Sequence, residues 1–554
     1  MCLVLFSFVL RPILVAISSL IVNEPQKETT KCKPQQEESE HEDSLPVPPD
    51  GGYGWVIVFA SFICNMMVDG VTYCFGIFLP DLVTHYHSTE AKVAWVGSIL
   101  AGVTMCTGPI VSAVTNKYGC RVSCMAGAVI AATSFALSVF SPSVEVLMLI
   151  YGAGGGIGFG LMYVPAVVCV GYYFESKRSL ATGMAVCGSG FGTIVFAPLG
   201  RFLLVNYGWK GANLVLAALC LTCTIFGFLM KPLEYKKPER TVTMVYQNGT
   251  ADITDDMKKS YTSLGDLSAS RQSLASKKSQ ALPPLARQDV LYAGSIRNLK
   301  EFQSQKSLHD FRQSMLSIPK HKSRYGGKAL SGITKVFTEL LDFSLMTDRV
   351  FIIIALSNVV GFMALYIPFD FLVEAAVKDG IDKSKASLLI SFMGITNTVG
   401  RIICGFVADF PKVNTLLVNN ICMIVMTIAI GSAGFCHDYL SYSAMALING
   451  CAMAGYISLT SILLVEFLGL EKLTSAFGLL ILFRGTGALI GPPLHGIIIN
   501  SSSYSYGFMA ASAFFAISTI LSFIIPIVQK SASKEKIIVH EDLMPVNGKI
   551  EEGV

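Results

Sequence analysis

Charge is scarce in this chain. Asp, Glu, Lys and Arg together make up only 14% of its 554 residues, whereas Ala, Val, Ile, Leu, Met, Phe, Trp, Tyr and Cys make up 52%. A water-soluble fold of this length is excluded, because its surface would be largely apolar. The apolar residues form twelve runs of the length that crosses a bilayer as a helix, about 20 residues each. The sequence therefore predicts a membrane protein that moves something across a bilayer.

The usual signs of catalysis are also missing. No nucleophile stands with a base and an orienting group, and no metal-ligand cluster stands out, so we expect no enzyme, no cofactor and no metal site. The pair Cys220-Leu-Thr-Cys223 has the spacing of a metal or redox site but lacks a partner His or a second pair. A glycine run between Gly152 and Gly160 lacks the GK[ST] sequence of a nucleotide site, and it favours close helix packing instead.

The twelve runs fall into two blocks of six, which predicts an all-α membrane protein of two six-helix bundles. We place the spans at residues 53–80, 91–115, 121–141, 145–172, 179–205, 210–230, 350–374, 385–408, 414–436, 439–468, 472–499 and 505–528. The chain then divides into a tail (1–48), the first bundle (49–230), a linker (231–344), the second bundle (345–529) and a second tail (530–554). Residues 1–22 are apolar except for Arg11; a signal peptide and an extra span are alternatives to the cytoplasmic or interfacial segment that we favour.

The placement of charge predicts the orientation. Basic residues concentrate in the loops 116–121 and 175–178, whereas the loops 84–87 and 141–145 hold few, so the basic loops and both termini should be cytoplasmic. The linker carries 18 Lys or Arg against 9 Asp or Glu between Lys231 and Lys328 and is rich in Ser and Gln. That composition predicts a disordered cytoplasmic segment. Membrane lipid is an expected partner, and nucleic acid is not.

A small residue, a polar capping residue and a cation recur at the ends of spans two and eight. They read Ser112-x-x-x-Asn116-Lys117-x-Gly119-x-Arg121 in the first block and Gly405-x-x-x-Asp409-x-x-Lys412 in the second. The repeat resembles the loop motif of the major facilitator superfamily. The resemblance implies two bundles that rock about a central cavity and expose one site to each side in turn.

Two longer stretches are more specific. Span one is entered by Pro49-Asp-Gly-Gly-Tyr-Gly-Trp55, and span five by Tyr173-Phe-Glu-Ser-Lys-Arg-Ser-Leu-Ala-Thr-Gly-Met-Ala-Val-Cys-Gly-Ser-Gly-Phe-Gly192. Both resemble signatures of the monocarboxylate transporter family, as does Gly491-Pro-Pro493, and the resemblance covers residues 49–528. It implies a plasma-membrane carrier of a small carboxylate. Proton-coupled members of that family also associate with a single-span immunoglobulin-type glycoprotein, so the resemblance implies such a partner.

These motifs supply the residues that we assign to gating or to structure. They are Asp50, Gly51, Gly52, Gly54, Trp55, Asn116, Lys117, Gly119, Arg121, Arg178 and Asp409. Asp50 is expected to accept hydrogen bonds from the free amides of the first helix. An ordinary interfacial anchor explains Asp50 and Trp55 equally well.

Ionisable residues inside spans are costly and point to function. Asp69, Arg401 and Arg484 lie deepest, and the resemblance implies that Arg401 holds the substrate carboxylate through its planar fork of donors. A structural ion pair is the alternative. Glu374 and Glu466 are expected to be solvated near the interfaces, and Asp370 to lie near the outer mouth.

The chain departs from the proton-coupled members at two positions. Asn397 and Tyr73 stand where those members carry an Asp and a Lys, and neither titrates near neutrality. Asp69 lies four residues before Tyr73 on the same helix face, so an acid and a guanidinium could face one cavity. The predicted substrate residues are Asp69, Tyr73, Asn397, Arg401 and Arg484.

Such a cavity suits a zwitterion or an amine-bearing carboxylate, such as creatine or carnitine, better than plain lactate. We therefore expect a facilitative carrier of small carboxylate-bearing metabolites. Three alternatives stay open. Asp69 could carry a proton in symport of lactate-like anions, it could only neutralise an arginine, or the protein could be a sensor or scaffold that does not transport.

Overall fold

The computed structural model describes residues 48–175, 177–232, 289–294, 299–303, 342–408 and 413–543. Regular structure in these ranges is entirely helical. Ten of the helices are long and apolar enough to cross a membrane, and two of those ten, Gly108–Ser138 and Arg178–Leu229, contain a reversal of the chain.

The first bundle has six spans, α1 to α6. α1 is Gly54–Tyr73 followed by Phe75–Tyr86; α2 is Glu90–Cys106 continued by 108–118; α3 is 120–138; α4 is Val144–Leu147, Met148–Gly154 and Gly155–Tyr173; α5 is 178–207; and α6 is 209–229. The chain reverses at Gly119 (φ 85°, ψ 162°) and at Gly208 (φ 65°, ψ 177°). Only glycine adopts these angles at little cost, so a single residue connects each pair of helices.

The second bundle repeats the plan. α7 is Arg349–Leu365 followed by Ile367–Lys378, α8 is Lys383–Ala408, α9 is Thr415–Ser432, α10 is Tyr439–Ser458 followed by Thr460–Leu468, α11 is Leu473–Ser501, and α12 is Tyr504–Leu543. The predicted fold of two six-helix bundles is confirmed. Two ends differ from the prediction: α1 continues past Pro80 to Tyr86, since a membrane helix accommodates proline, and α12 runs on into the predicted tail.

The glycines of α4 allow the close packing that their spacing predicts. Gly152, Gly156 and Gly160 all face α2, and a Cβ at Gly156 would lie 2.9 Å from the carbonyl oxygen of Leu100. A Cβ at Gly158, on another face, would lie 2.8 Å from Cα of Ala131 in α3. Backbones therefore approach one another on two sides of α4.

The two bundles meet through α5 with α8, α2 with α11, and the second segments of α1 and α7. We call the end of the molecule that carries Glu90 and Tyr504 the Glu90 end, and the opposite end the Arg178 end. At the Glu90 end the Tyr504 hydroxyl donates to Glu90 at 2.9 Å across the bundle interface. A Cβ at Gly76 of α1 would lie 2.8 Å from Cα of Asp370 of α7, so this end is closed.

The bundles separate towards the Arg178 end. Among the described residues, no atom from another helix lies within 4 Å of where a Cβ would stand at Gly183 of α5 or at Gly405 of α8. The molecule is therefore closed at the Glu90 end and open at the Arg178 end.

Candidate functional site

Arg401 lies in α8 at the contact between the bundles and is only 3% exposed. Its Nε donates to Oδ1 of Asn397 at 2.8 Å, one turn earlier in the same helix. Its Nη1 and Nη2 donate across the interface to the Val186 carbonyl at 3.4 Å and the Ser189 hydroxyl at 3.3 Å, both in α5. The guanidinium therefore touches both bundles, and each of these acceptors is neutral.

Glycines of the second signature create this contact. Gly188 and Gly192 place α5 against the backbone of α1, at the carbonyl groups of Phe62 and Met66. Gly190 faces the other way, and a Cβ there would lie 2.8 Å from the carbonyl oxygen of Gly394 in α8. The same run thus brings three helices together and holds Ser189 beside Arg401.

Asp69 of α1 lies on the other side of Ser189. The Ser189 hydroxyl interacts with the Asp69 carboxylate, and Asp69 also feels the charge of Arg401. Within the described ranges, no ion pair of 4.0 Å or less joins Asp69 to Arg401. Asp69 and Arg401 therefore lie near each other without direct pairing, and Ser189 stands between them.

Tyr73 closes the site towards the Glu90 end. It is 5% exposed, and its ring stacks on Phe369 of α7 with centroids 4.6 Å apart and planes inclined by 26°. The ring of Tyr366 lies 5.7 Å away. Tyr73 stands at the break in α1 and Tyr366 at the break in α7, so corresponding interruptions of the two bundles meet here.

Arg484 of α11 is 6% exposed and is held within the second bundle. Nε donates to Asn358 Oδ1 at 2.8 Å, and Nη2 donates to Thr460 Oγ1 at 2.6 Å. The guanidinium carbon lies 4.8 Å from the ring centroid of Phe362 and 5.8 Å from that of Tyr456. Arg484 also lines a cavity of about 30 Å³, room for about two waters.

Tyr163 of α4 lies near the charged groups. It lies close enough to Asp69, Arg401 and Arg484 for the charges of all three to act on it. The structure thus brings the predicted acid and both predicted cations to one region. The sequence interpretation missed Ser189, Tyr163, Tyr366 and Phe369. Two signals were available: Ser189 stands within the second signature, and Pro368 lies between Tyr366 and Phe369 in the sequence.

The acidic residues of α7 are more buried than expected. Asp370 is 5% exposed and packs against Gly76 at the closed Glu90 end. Glu374 is only partly exposed, and its Oε2 is buried without a hydrogen-bond partner among the described residues, close to Glu90 and Tyr504. Closure of the Glu90 end brings these groups out of water. Glu466 is exposed, as expected.

The first signature docks onto the second. The expectation that Asp50 caps the first helix is wrong, because that helix begins at Gly54 and the Asp50 carboxylate accepts the Glu175 N–H at 2.6 Å instead. The Trp55 ring lies 5.0 Å from that of Phe174. Positive φ angles at Asp50 (47°) and Gly52 (54°) turn the segment towards the α4–α5 loop, and Gly51 lies between them.

The other motif residues lie at the Arg178 end. Gly119 makes the α2–α3 reversal, Asn116 and Lys117 precede it, and the Arg121 guanidinium lies 4.8 Å from the ring centroid of Phe228 in α6. Asp409 lies outside the described residues. Arg178 is fully buried and pairs with Asp289 of the linker at 2.7 Å.

Comparison with known proteins agrees with this architecture. The family model of the Major Facilitator Superfamily matches residues 60–445 and 350–546. Monocarboxylate transporter 2 of Rattus norvegicus is 30% identical over 84% of this chain and 82% of its own length. Monocarboxylate transporter 14 of Mus musculus is 27% identical over 87% of this chain and 91% of its own.

Among solved structures, the crystal structure of the nucleoside transporter NupG superposes with a TM-score of 0.55. The match covers 85% of this chain and 99% of that one at 10% identity. It supports the fold alone.

Proposed function

Because the chain belongs to the major facilitator superfamily and, within it, to the monocarboxylate transporter family, we propose that this membrane transporter carries small carboxylate-bearing metabolites without obligatory proton coupling. The observation that carries the proposal is Arg401. It is a buried cation that touches both bundles, and among the described residues it donates to neutral groups only.

A carboxylate suits this guanidinium. A buried charge that lacks an opposite charge is costly, and a substrate anion supplies that charge through two parallel hydrogen bonds. The Arg401 nitrogens Nη1 and Nη2 now donate to Val186 and Ser189. A substrate carboxylate at the bundle interface could accept these hydrogen bonds instead. A ligand bound there contacts both bundles, so its binding can favour one arrangement of them over the other.

The surroundings of Arg401 support a substrate that also carries a positive group. Asp69 offers an acid close by, separated from Arg401 by Ser189. The rings of Tyr73, Tyr366 and Phe369 form an aromatic wall, and such rings attract quaternary ammonium and guanidinium groups. Creatine or carnitine has this combination of groups.

The lack of titrating groups at two positions supports a facilitative mode. Asn397 orients Arg401 through a neutral amide oxygen, and Tyr73 is held in a stack of rings. The alternative is proton symport of lactate-like anions, with Asp69 as the group that takes up the proton. A purely structural role, in which Asp69 only neutralises an arginine, is the other alternative.

Uptake in cells that express the full chain tests the proposal. We expect uptake of at least one of lactate, creatine, carnitine, ketone bodies and aromatic amino acids, at equal rates at pH 6 and pH 8, and loss of that uptake in Arg401→Gln. Arg201→Gln in α5 serves as the control for removing a membrane arginine outside the site. A chain that reaches the surface and moves none of these would contradict the proposal and favour the sensor or scaffold.

Location and partner rest on the family resemblance. We infer the plasma membrane with cytoplasmic termini, and a single-span immunoglobulin-type glycoprotein as an ancillary partner. Surface biotinylation, antibody access to tagged termini, and co-purification test the three statements separately.

A further inference from the structure

A short piece of the linker lies between the two bundles at the Arg178 end. Residues 289–294 read Asp-Val-Leu-Tyr-Ala-Gly, and we call them the strap. Asp289 is 0% exposed, Val290 3% and Tyr292 5%. Burial of this degree inside a linker rich in Ser and Lys shows that the strap docks onto the helices.

The first anchor of the strap is an ion pair with Arg178. Asp289 Oδ2 lies 2.7 Å from Nη1 of Arg178, and the same nitrogen donates to the Asp289 carbonyl at 2.7 Å. The remaining donors of the guanidinium reach the carbonyls of Phe174 at 2.9 Å and Gly171 at 3.1 Å. Both charged side chains are fully buried, and removing one partner of such a pair leaves the other uncompensated.

The end of α4 is shaped for this segment. Gly171 has no side chain, and the Val290 carbonyl oxygen occupies the place that a Cβ there would take. Val290 itself joins the apolar core of the first bundle. The backbone of the strap therefore lies directly on α4.

The second anchor is in the other bundle. The Ala293 N–H donates to the Ser461 hydroxyl of α10 at 3.3 Å. Tyr292 belongs to an apolar cluster with Phe351 of α7 and Leu464 of α10. The chain thus passes from one bundle to the other between Asp289 and Ala293.

We propose that the strap is a removable wedge that keeps the Arg178 end open. Alternating access requires the bundles to rock until this end closes and the Glu90 end opens. The strap fills the space between the end of α4 and the second segment of α10, so the two cannot approach while it is docked on both. It favours the arrangement with the closed Glu90 end and must leave one bundle before the other arrangement forms. This regulation is independent of which substrate is carried.

Distances across the Glu90 end test the wedge without any substrate. Spin labels are attached at Thr84→Cys in α1 and Lys385→Cys in α8, two exposed positions on opposite bundles. The full chain is used, with Cys2, Cys32 and the four cysteines that are not buried (Cys106, Cys404, Cys422 and Cys451) replaced by serine. We expect Asp289→Asn and Tyr292→Ala each to raise the ratio of long to short distances by about fivefold or more.

Matched controls separate the wedge from general damage. Asp266→Asn changes an aspartate of the same linker outside the described residues, and Tyr506→Ala removes a tyrosine that is 62% exposed. Both should leave the ratio unchanged. If Asp289→Asn fails to fold, Tyr292→Ala and Ser461→Ala carry the test.

Two results would overturn the proposal. One is an unchanged distance distribution in strap variants that are monodisperse and unfold at the normal temperature. The other is a shift in Asp289→Asn alone, which would mean that the strap only stabilises the first bundle. Neither result depends on transport. The substrate assignment can therefore be wrong while the wedge proposal is right, and the wedge proposal can be wrong while the substrate assignment is right.

Discussion

Asn397→Asp is the most direct test of Arg401 as the carboxylate anchor. The substitution changes a neutral oxygen that lies 2.8 Å from Arg401 Nε into a carboxylate oxygen at nearly constant shape. Opposite charges about 4 Å apart attract by about 4 kcal/mol at an effective dielectric constant of 20. Desolvation of the new acid offsets part of this attraction, and close charge pairs typically retain about 1.5–7 kcal/mol.

The proton-coupled members combine an Asp at this position with a Lys at the position of Tyr73, and this chain has no such Lys. The new carboxylate would therefore pair with Arg401 itself and occupy the anchor that the substrate needs. We expect KM for a carboxylate substrate to rise at least about tenfold, since about 1.4 kcal/mol corresponds to a factor of ten. Surface expression should not fall, because the buried cation gains a partner. Concentration-dependent uptake, normalised to surface protein, measures the effect.

The chain offers a close geometric counterpart. Arg484 Nε donates to Asn358 at the same 2.8 Å, so Asn358→Asp pairs the other buried arginine in the same way. A larger rise of KM in Asn397→Asp identifies Arg401 as the anchor, and a larger rise in Asn358→Asp identifies Arg484. An unchanged KM in Asn397→Asp at normal surface levels would refute the assignment of Arg401.

Three further outcomes are expected. Arg401→Lys should reach the surface but lose most uptake, because the point charge of Lys does not replace the planar fork of guanidinium donors. Loss of a desolvated charge pair costs about 2–5 kcal/mol. Near-normal uptake would argue against Arg401 as the carboxylate anchor. Uptake should be flat between pH 6 and pH 8, since Asn397 and Tyr73 do not titrate there and a carboxylic acid with a pKa near 4 stays ionised; a tenfold acceleration by acid would make Asp69 the proton site to test. Asp69→Asn should weaken zwitterions more than simple anions, measured as paired uptakes, and equal loss of both would leave Asp69 a structural counter-ion.

The sequence predicts the helices well, because a span must bury a long apolar run whatever surrounds it. It does not predict where the helices are interrupted. The helices break at Cys74, Thr107, Tyr366 and Leu459. Each span keeps its apolar character through the break, so a hydropathy profile does not detect it. Two of these breaks position the site.

The charged part of the site was predictable and the neutral part was not. Arg401 and Arg484 can be identified from the sequence alone, because a charged residue inside a membrane span is costly and therefore indicates a function. Ser189 and Phe369 are ordinary residues for a membrane helix, and they matter only through contacts between segments far apart in sequence. The strap could not be predicted for a related reason. It has only six residues, of which two are buried apolar side chains, and these hardly change the average composition of a long basic linker.

The single-glycine reversals at Gly119 and Gly208 bear on how the chain enters the bilayer. Helices joined by one residue leave no long loop between them, and each helix satisfies its own backbone groups once it is inserted. We therefore expect α2–α3 and α5–α6 to insert during synthesis as helical hairpins, each in one step. An epitope or fluorescent domain inserted at either glycine would separate the two helices of a hairpin. The same insertion near Thr84 or Lys385 would leave both hairpins intact.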